Sequence, residues 1–148
     1  MESTHELDEI RKAQLAPYEA SATDPLWIWP LIGVLAFAQF AAWEIEPIAI
    51  PIAMLVLYCL GLGALVGFMT KRRGVQPTMR INEMPAPLRR ELFIFWALST
   101  LGSGAVVLVA MTTNFVFAGL VAGVGIATLG AWYHRRYRDR VGELVAEL

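Results

Sequence analysis

The sequence predicts an all-α, polytopic membrane protein, and two observations carry that prediction. Of 148 residues 57% are hydrophobic and only 17% charged, with a mean hydropathy of +0.53. Residues 26–43, 48–70, 92–113 and 115–134 contain no Asp, Glu, Lys or Arg. Crossing a hydrocarbon core takes roughly 17 to 25 helical residues, and each stretch meets that length. In lipid an open sheet would leave backbone groups unpaired, and four uniformly apolar runs cannot close a barrel, so helices remain.

The N-terminal segment, 1–25, carries Glu2, Glu6, Asp8, Glu9, Glu19 and Asp24 against Arg11 and Lys12. Ser3-Thr4-His5-Glu6 has the form of a capping box, so a short helix should run to about Ala16 and end at Pro17. Ala36-Phe37-Ala38 looks like a signal-peptidase site, but a secretory signal needs a basic flank and this one is acidic. The first span is therefore expected to stay. Asp24-Pro25 and Glu46-Pro47 suit the starts of the first two spans, Pro87 the third and Asn114 the cap of the fourth. Pro30 and Pro51 fall in early turns, where a missing N–H costs little.

Two hairpins follow, one turning at Glu44-Ile45-Glu46 and one at Thr112-Thr113-Asn114, joined by a basic loop over 71–91. That loop holds Lys71, Arg72, Arg73, Arg80, Arg89 and Arg90, and the tail holds Arg135, Arg136, Arg138 and Arg140, whereas the opposite turns hold no base. The positive-inside rule then makes both termini cytoplasmic, in a plasma (inner) membrane. Lys71, Arg72, Arg73, Arg89, Arg90, Arg135 and Arg136 serve as surface anchors on anionic headgroups. Trp27, Trp29, Trp43, Trp96, Trp132 and Tyr133 fall near span ends, as in an aromatic belt.

The tail, 135–148, sets Tyr137, Val141, Leu144 and Leu148 on one stripe with Val145 beside it, so the fourth helix should continue past the membrane with Gly142 as a weak point. The stripe suits either the membrane surface and its own bundle or a partner helix. The N-terminal helix could also fold back onto the basic groups and cover a partner site. Leu26-Trp27-Ile28-Trp29 and Leu92-Phe93-Ile94-Phe95, with Gly-x-Gly at Gly61 and Gly123, give the halves a faint likeness that duplication or shared packing needs would explain equally.

Lipid gives apolar helices no drive to associate, so small residues that admit close backbone approach carry the packing signal. Gly63 with Gly67, Ser99 with Ser103 and Gly119 with Gly123 form such pairs. They join the bundle or a homodimer. Catalytic chemistry is poorly supplied: an ionisable group in the core costs at least ~2.5 kcal/mol and marks ion pathways, yet the spans offer only Gln39, Tyr58, Cys59, a few hydroxyls and His134 at a boundary. Glu44 and Glu46 read as a solvated turn capping the second span. No His spacing fits a metal site, a single cysteine forms no intrachain disulfide, and no cofactor is implied. Twelve bases against thirteen acids leave no excess for nucleic acid.

Arg outnumbers Lys by 10 to 2 and Ala is plentiful. With the acidic lead, the Asp24-Pro25-Leu26-Trp27-Ile28-Trp29 opening and the basic middle loop, the chain resembles uncharacterised small four-span integral membrane proteins of bacteria, actinobacterial in its coding bias. The resemblance brings no catalytic or ligand residues. These features point to a non-enzymatic accessory, scaffold or regulatory subunit of a membrane complex, with lipids and a membrane-protein partner or second copy around it. The alternative is a small oligomeric transporter or channel.

Overall fold

The apolar runs fold as helices throughout, and no strand occurs among the described residues. The structure is a computed structural model describing residues 2–73, 81 and 84–146, with the side chains of 2–8, 11 and 73 outside the description. Five helices follow in order: α1 (Glu2–Ala22), α2 (Ile28–Ala41), α3 (Ala49–Arg73), α4 (Ala86–Thr112) and α5 (Phe115–Ala146). A 3-10 turn, Ala42–Glu44, prolongs α2. Helices α3, α4 and α5 are long and apolar enough to cross a membrane. The 14 residues of α2 rise about 21 Å, and the 3-10 turn brings the apolar rod to about 27 Å.

Several boundaries differ from the sequence expectation. Pro17 does not end α1, which continues to Ala22. Beyond the proline, Ser21 Oγ donates to the Pro17 carbonyl at 3.0 Å, and Leu15, Tyr18 and Ala22 pack against other helices, so tertiary burial outweighs the lost N–H. Asp24 and Pro25 do not open α2. Its first residue is Ile28, its N-cap position is Trp27 without a side-chain hydrogen bond, and the preceding turn is closed by Ile28 N–H to Pro25 O at 3.3 Å. Helix α4 begins at Ala86, inside the expected loop, with Pro85 at the cap and Pro87 in the first turn. Helix α1 begins at Glu2, so Ser3 lies inside it and does not open it as a capping box, and α3 begins at Ala49, two residues after Glu46-Pro47. The expected signals act in α5. Asn114 Oδ1 accepts from Phe117 N–H at 2.9 Å and caps α5. Helix α5 passes unbroken through Gly142 to Ala146.

Helix α5 is the hub. Helix α2 lies antiparallel along it, α4 lies along another side, α1 crosses its C-terminal part, and α3 leans chiefly on α2. The seam with α2 depends on glycine. A Cβ on Gly33 would overlap the Gly123 carbonyl oxygen, one on Gly123 would stand 2.7 Å from the Gly33 carbonyl oxygen, and one on Gly119 would stand 2.8 Å from Phe40 Cβ. At the far end a Cβ on Gly130 would overlap the Trp29 indole. Helices this close pack by van der Waals contact that lipid tails cannot match. The same pair type in α3 has no such neighbour: nothing lies within 4 Å of a Cβ at Gly63 or Gly67.

The helix directions sort charge. Residues Lys71 and Arg72 close α3, Arg89 and Arg90 open α4, and the arginines from Arg135 onward lie in the last turns of α5, all at one end of the bundle. Glu44 and Glu46 lie at the other.

Candidate interaction surface at the basic end

Glu91 is the anchor of the basic end. It sits in the second turn of α4, follows Arg89-Arg90 directly, and is 2% exposed. A buried carboxylate needs opposite charge close by, and α5 supplies two guanidinium groups. Arg136 Nε lies 3.2 Å from Glu91 Oε2, an ion pair whose angle does not make a hydrogen bond, and Arg140 Nε lies 3.7 Å from Oε1. Arg140 Nη1 also donates to Glu143 Oε2 at 2.6 Å. Its spacing on α5 puts Arg136 and Arg140 four residues apart, on one face toward α4. The hydrogen bond and charge of Glu143, with a smaller part from Glu91, raise the Arg140 pKa above its ordinary value. Two cations and two anions thus alternate as Arg136, Glu91, Arg140, Glu143.

Aromatic rings continue this tie toward the apolar zone. Trp29 and Phe95 centroids are 6.2 Å apart, Phe95 and Tyr133 4.5 Å, and Tyr133 and Tyr137 5.9 Å, so one ladder links α2, α4 and α5. Such offset pairs add about 0.5–1.5 kcal/mol each beyond burial. The Arg136 guanidinium lies 5.1 Å from the Trp132 ring centroid, in cation–π range.

The tail stripe is occupied by the chain itself. Val141 is buried with Leu88 of α4 and with Tyr18 and Ala22 of α1, while Tyr137, Leu144, Val145, Leu15 and Met84 pack around them. Tyr137, Val141 and Leu144 therefore face an internal partner, and Leu148 lies outside the described residues. Helix α1 does lie back over this end, held by Leu15, Tyr18 and Ala22, and the side chain of Asp8 lies outside the description.

The other singled-out residues divide. Gly119 and Gly123 sit in the α2–α5 seam, Gly63 and Gly67 face open space, Ser99 is half-buried, and Ser103 is exposed with its Oγ bonded to the Ser99 carbonyl at 2.9 Å. Lys71, Arg72, Arg90, Arg135 and Arg136 are exposed and Arg89 half-buried, and the Arg73 side chain and Arg80 lie outside the description. At the acidic end Glu44 caps α5 rather than the second span: its Oε1 accepts from Phe115 N–H at 2.7 Å.

Sequence reasoning missed Glu91 as a buried group because it stood at the edge of an expected loop. The available signal was an acid set between Arg89-Arg90 and the run Leu92-Phe93-Ile94-Phe95, directly against the apolar zone. A buried Gln39, 8% exposed, leaves Oε1 without a hydrogen-bond partner among the described residues. Beside the glycine seam an apolar groove lined by Pro30, Val34, Phe37, Leu120 and Val124 has no polar side chain to orient a substrate. Among the described residues no three His, Cys, Asp or Glu side chains cluster as metal ligands. Comparison with protein-family models, curated proteins and solved structures finds no match.

Proposed function

We propose that the chain is a four-span protein of a bacterial plasma membrane, with both termini in the cytoplasm, and that it acts as a non-enzymatic accessory, scaffold or regulatory subunit of a membrane complex. The observation that carries this reading is the contrast in glycine use. Gly33, Gly119, Gly123 and Gly130 are consumed inside the bundle, while Gly63, Gly67, Gly102 and Gly104 stand open on α3 and α4 among exposed Leu60, Val66, Phe68 and Leu101. An open small-residue flank in lipid gains little from acyl chains and much from a helix that can approach its backbone. Apolar exposure on this scale suits lipid and neighbouring spans.

The four-span count rests on α2, whose rod of about 27 Å is close to the hydrocarbon thickness of about 30 Å. The sidedness rests on the gathering of arginines at one end. Reporter domains fused to either terminus should be active only from the cytoplasm, and the chain should resist carbonate extraction. Purification in mild detergent followed by native mass spectrometry tests the role. A heteromeric companion of defined stoichiometry is expected. A discrete homo-oligomer that carries flux in liposomes would replace this reading with that of a small transporter or channel.

A further inference from the structure

The ion network at the basic end separates arginines that are already neutralised from arginines that are not. Arg136 and Arg140 are matched by Glu91 and Glu143. Arg90, Arg135 and Arg138 are exposed and Arg89 half-buried, and none has an acidic partner within ion-pair distance among the described residues. We propose that Arg135 and Arg138, on the flank of α5 turned away from α4, and separately Arg89 and Arg90 at the start of α4, bind the phosphate groups of anionic phospholipids in the adjoining leaflet, whereas Arg136 and Arg140 are internal ties. The inference rests on the membrane reading above and deepens it by naming which cations meet the lipid.

The placement of these groups fits that ligand. Arg135 follows His134, the last residue of an uncharged stretch, and Arg89 and Arg90 stand just before the apolar run that opens with Leu92. Trp132 lies in the same turn of α5, with its ring under Arg136, where an indole sits at headgroup level. Both pairs therefore stand within about one turn of the hydrocarbon boundary, the depth of the phosphate layer. A guanidinium offers a planar fork that matches phosphate oxygens, and it is weakly hydrated. Exposed Lys71 and Arg72 at the end of α3 extend the same field. Asp139 lies among the tail arginines, and α1 brings Glu19, beside the buried Tyr18, to this end, so the test uses the full chain.

The experiment reconstitutes the protein in discs of phosphatidylcholine alone or of phosphatidylcholine and phosphatidylglycerol in equal parts, then measures by mass spectrometry the lipid retained through detergent exchange. Wild type should retain phosphatidylglycerol in excess over its share. Arg135→Gln with Arg138→Gln should lower that excess by about fivefold per arginine, without a change in melting temperature in pure phosphatidylcholine. Arg136→Gln should do the reverse, leaving the enrichment and lowering the melting temperature in both discs. Equal enrichment in wild type and the Arg135/Arg138 variant would overturn the assignment. So would inorganic phosphate displacing phosphatidylglycerol at millimolar concentration, because the site would then read a free anion. Failure of the membrane reading is distinct: the protein would not enter discs of either composition.

Discussion

Helices α5 and α3 are both long, uncharged through most of their length, and marked by a GxxxG pair, yet they have opposite fates. Helix α5 is enclosed by α2, α4 and α1, and its Gly119 and Gly123 meet Phe40 and the Gly33 carbonyl. Helix α3 rests mainly on α2, and its Gly63 and Gly67 meet nothing. A GxxxG pair states that a backbone can be approached. What approaches is decided by the opposing helix, and α2 offers Gly33 and Trp29 at the heights of Gly123 and Gly130.

The comparison can be broken at several points. The largest effect should come from Arg136→Ala with Arg140→Ala, which leaves Glu91 buried without a countercharge. Thermal unfolding in detergent would report it, and adding Glu91→Gln to that background should restore much of the loss. Next, Gly123→Val or Gly130→Val inserts side-chain atoms where a Cβ already collides, at about 1–3 kcal/mol. If either variant melts like wild type, the seam is not where the structure puts it.

A smaller loss, about 1 kcal/mol, should follow Asn114→Ala, which removes the cap of α5. The same melting assay reads it. The smallest change belongs to α3: Gly63→Ala or Gly67→Ala should stabilise the isolated protein by about 0.5–1 kcal/mol and so raise its melting temperature slightly, since alanine favours helix and meets no neighbour. The larger Gly63→Leu should leave that stability in place and release the companion found by native mass spectrometry. Equal destabilisation by the α3 and α5 substitutions would erase the distinction between the two helices.

Helix content was legible because lipid forces the backbone to satisfy itself within each segment. The Asn114 cap and the continuation of α5 into the tail stripe were legible from local spacing. The end of α1 was not, because Pro17 is a local signal and the burial of Tyr18 and Ala22 against Val141 is a tertiary one. The site was read in part. The arginines announced a basic end, but their sorting depends on Glu91 reaching two residues of another helix. Glycine spacing likewise could not tell Gly123 from Gly67, since the difference lies in Gly33, far away in sequence.

The central claim is that α5 is the hub and that α2 closes on it through glycine. Disulfide trapping in native membranes tests it most directly, with Phe40→Cys and Gly119→Cys in a chain whose lone cysteine is changed by Cys59→Ser. A Cβ at Gly119 would stand 2.8 Å from Phe40 Cβ, within reach of a bridge whose Cβ atoms sit about 3.8 Å apart after a slight separation of the helices. Rapid intramolecular linkage of residues 40 and 119, with none between Phe40→Cys and Gly63→Cys, is the result expected. Linkage of 40 to 63 as fast as 40 to 119, or linkage only between copies, would contradict it.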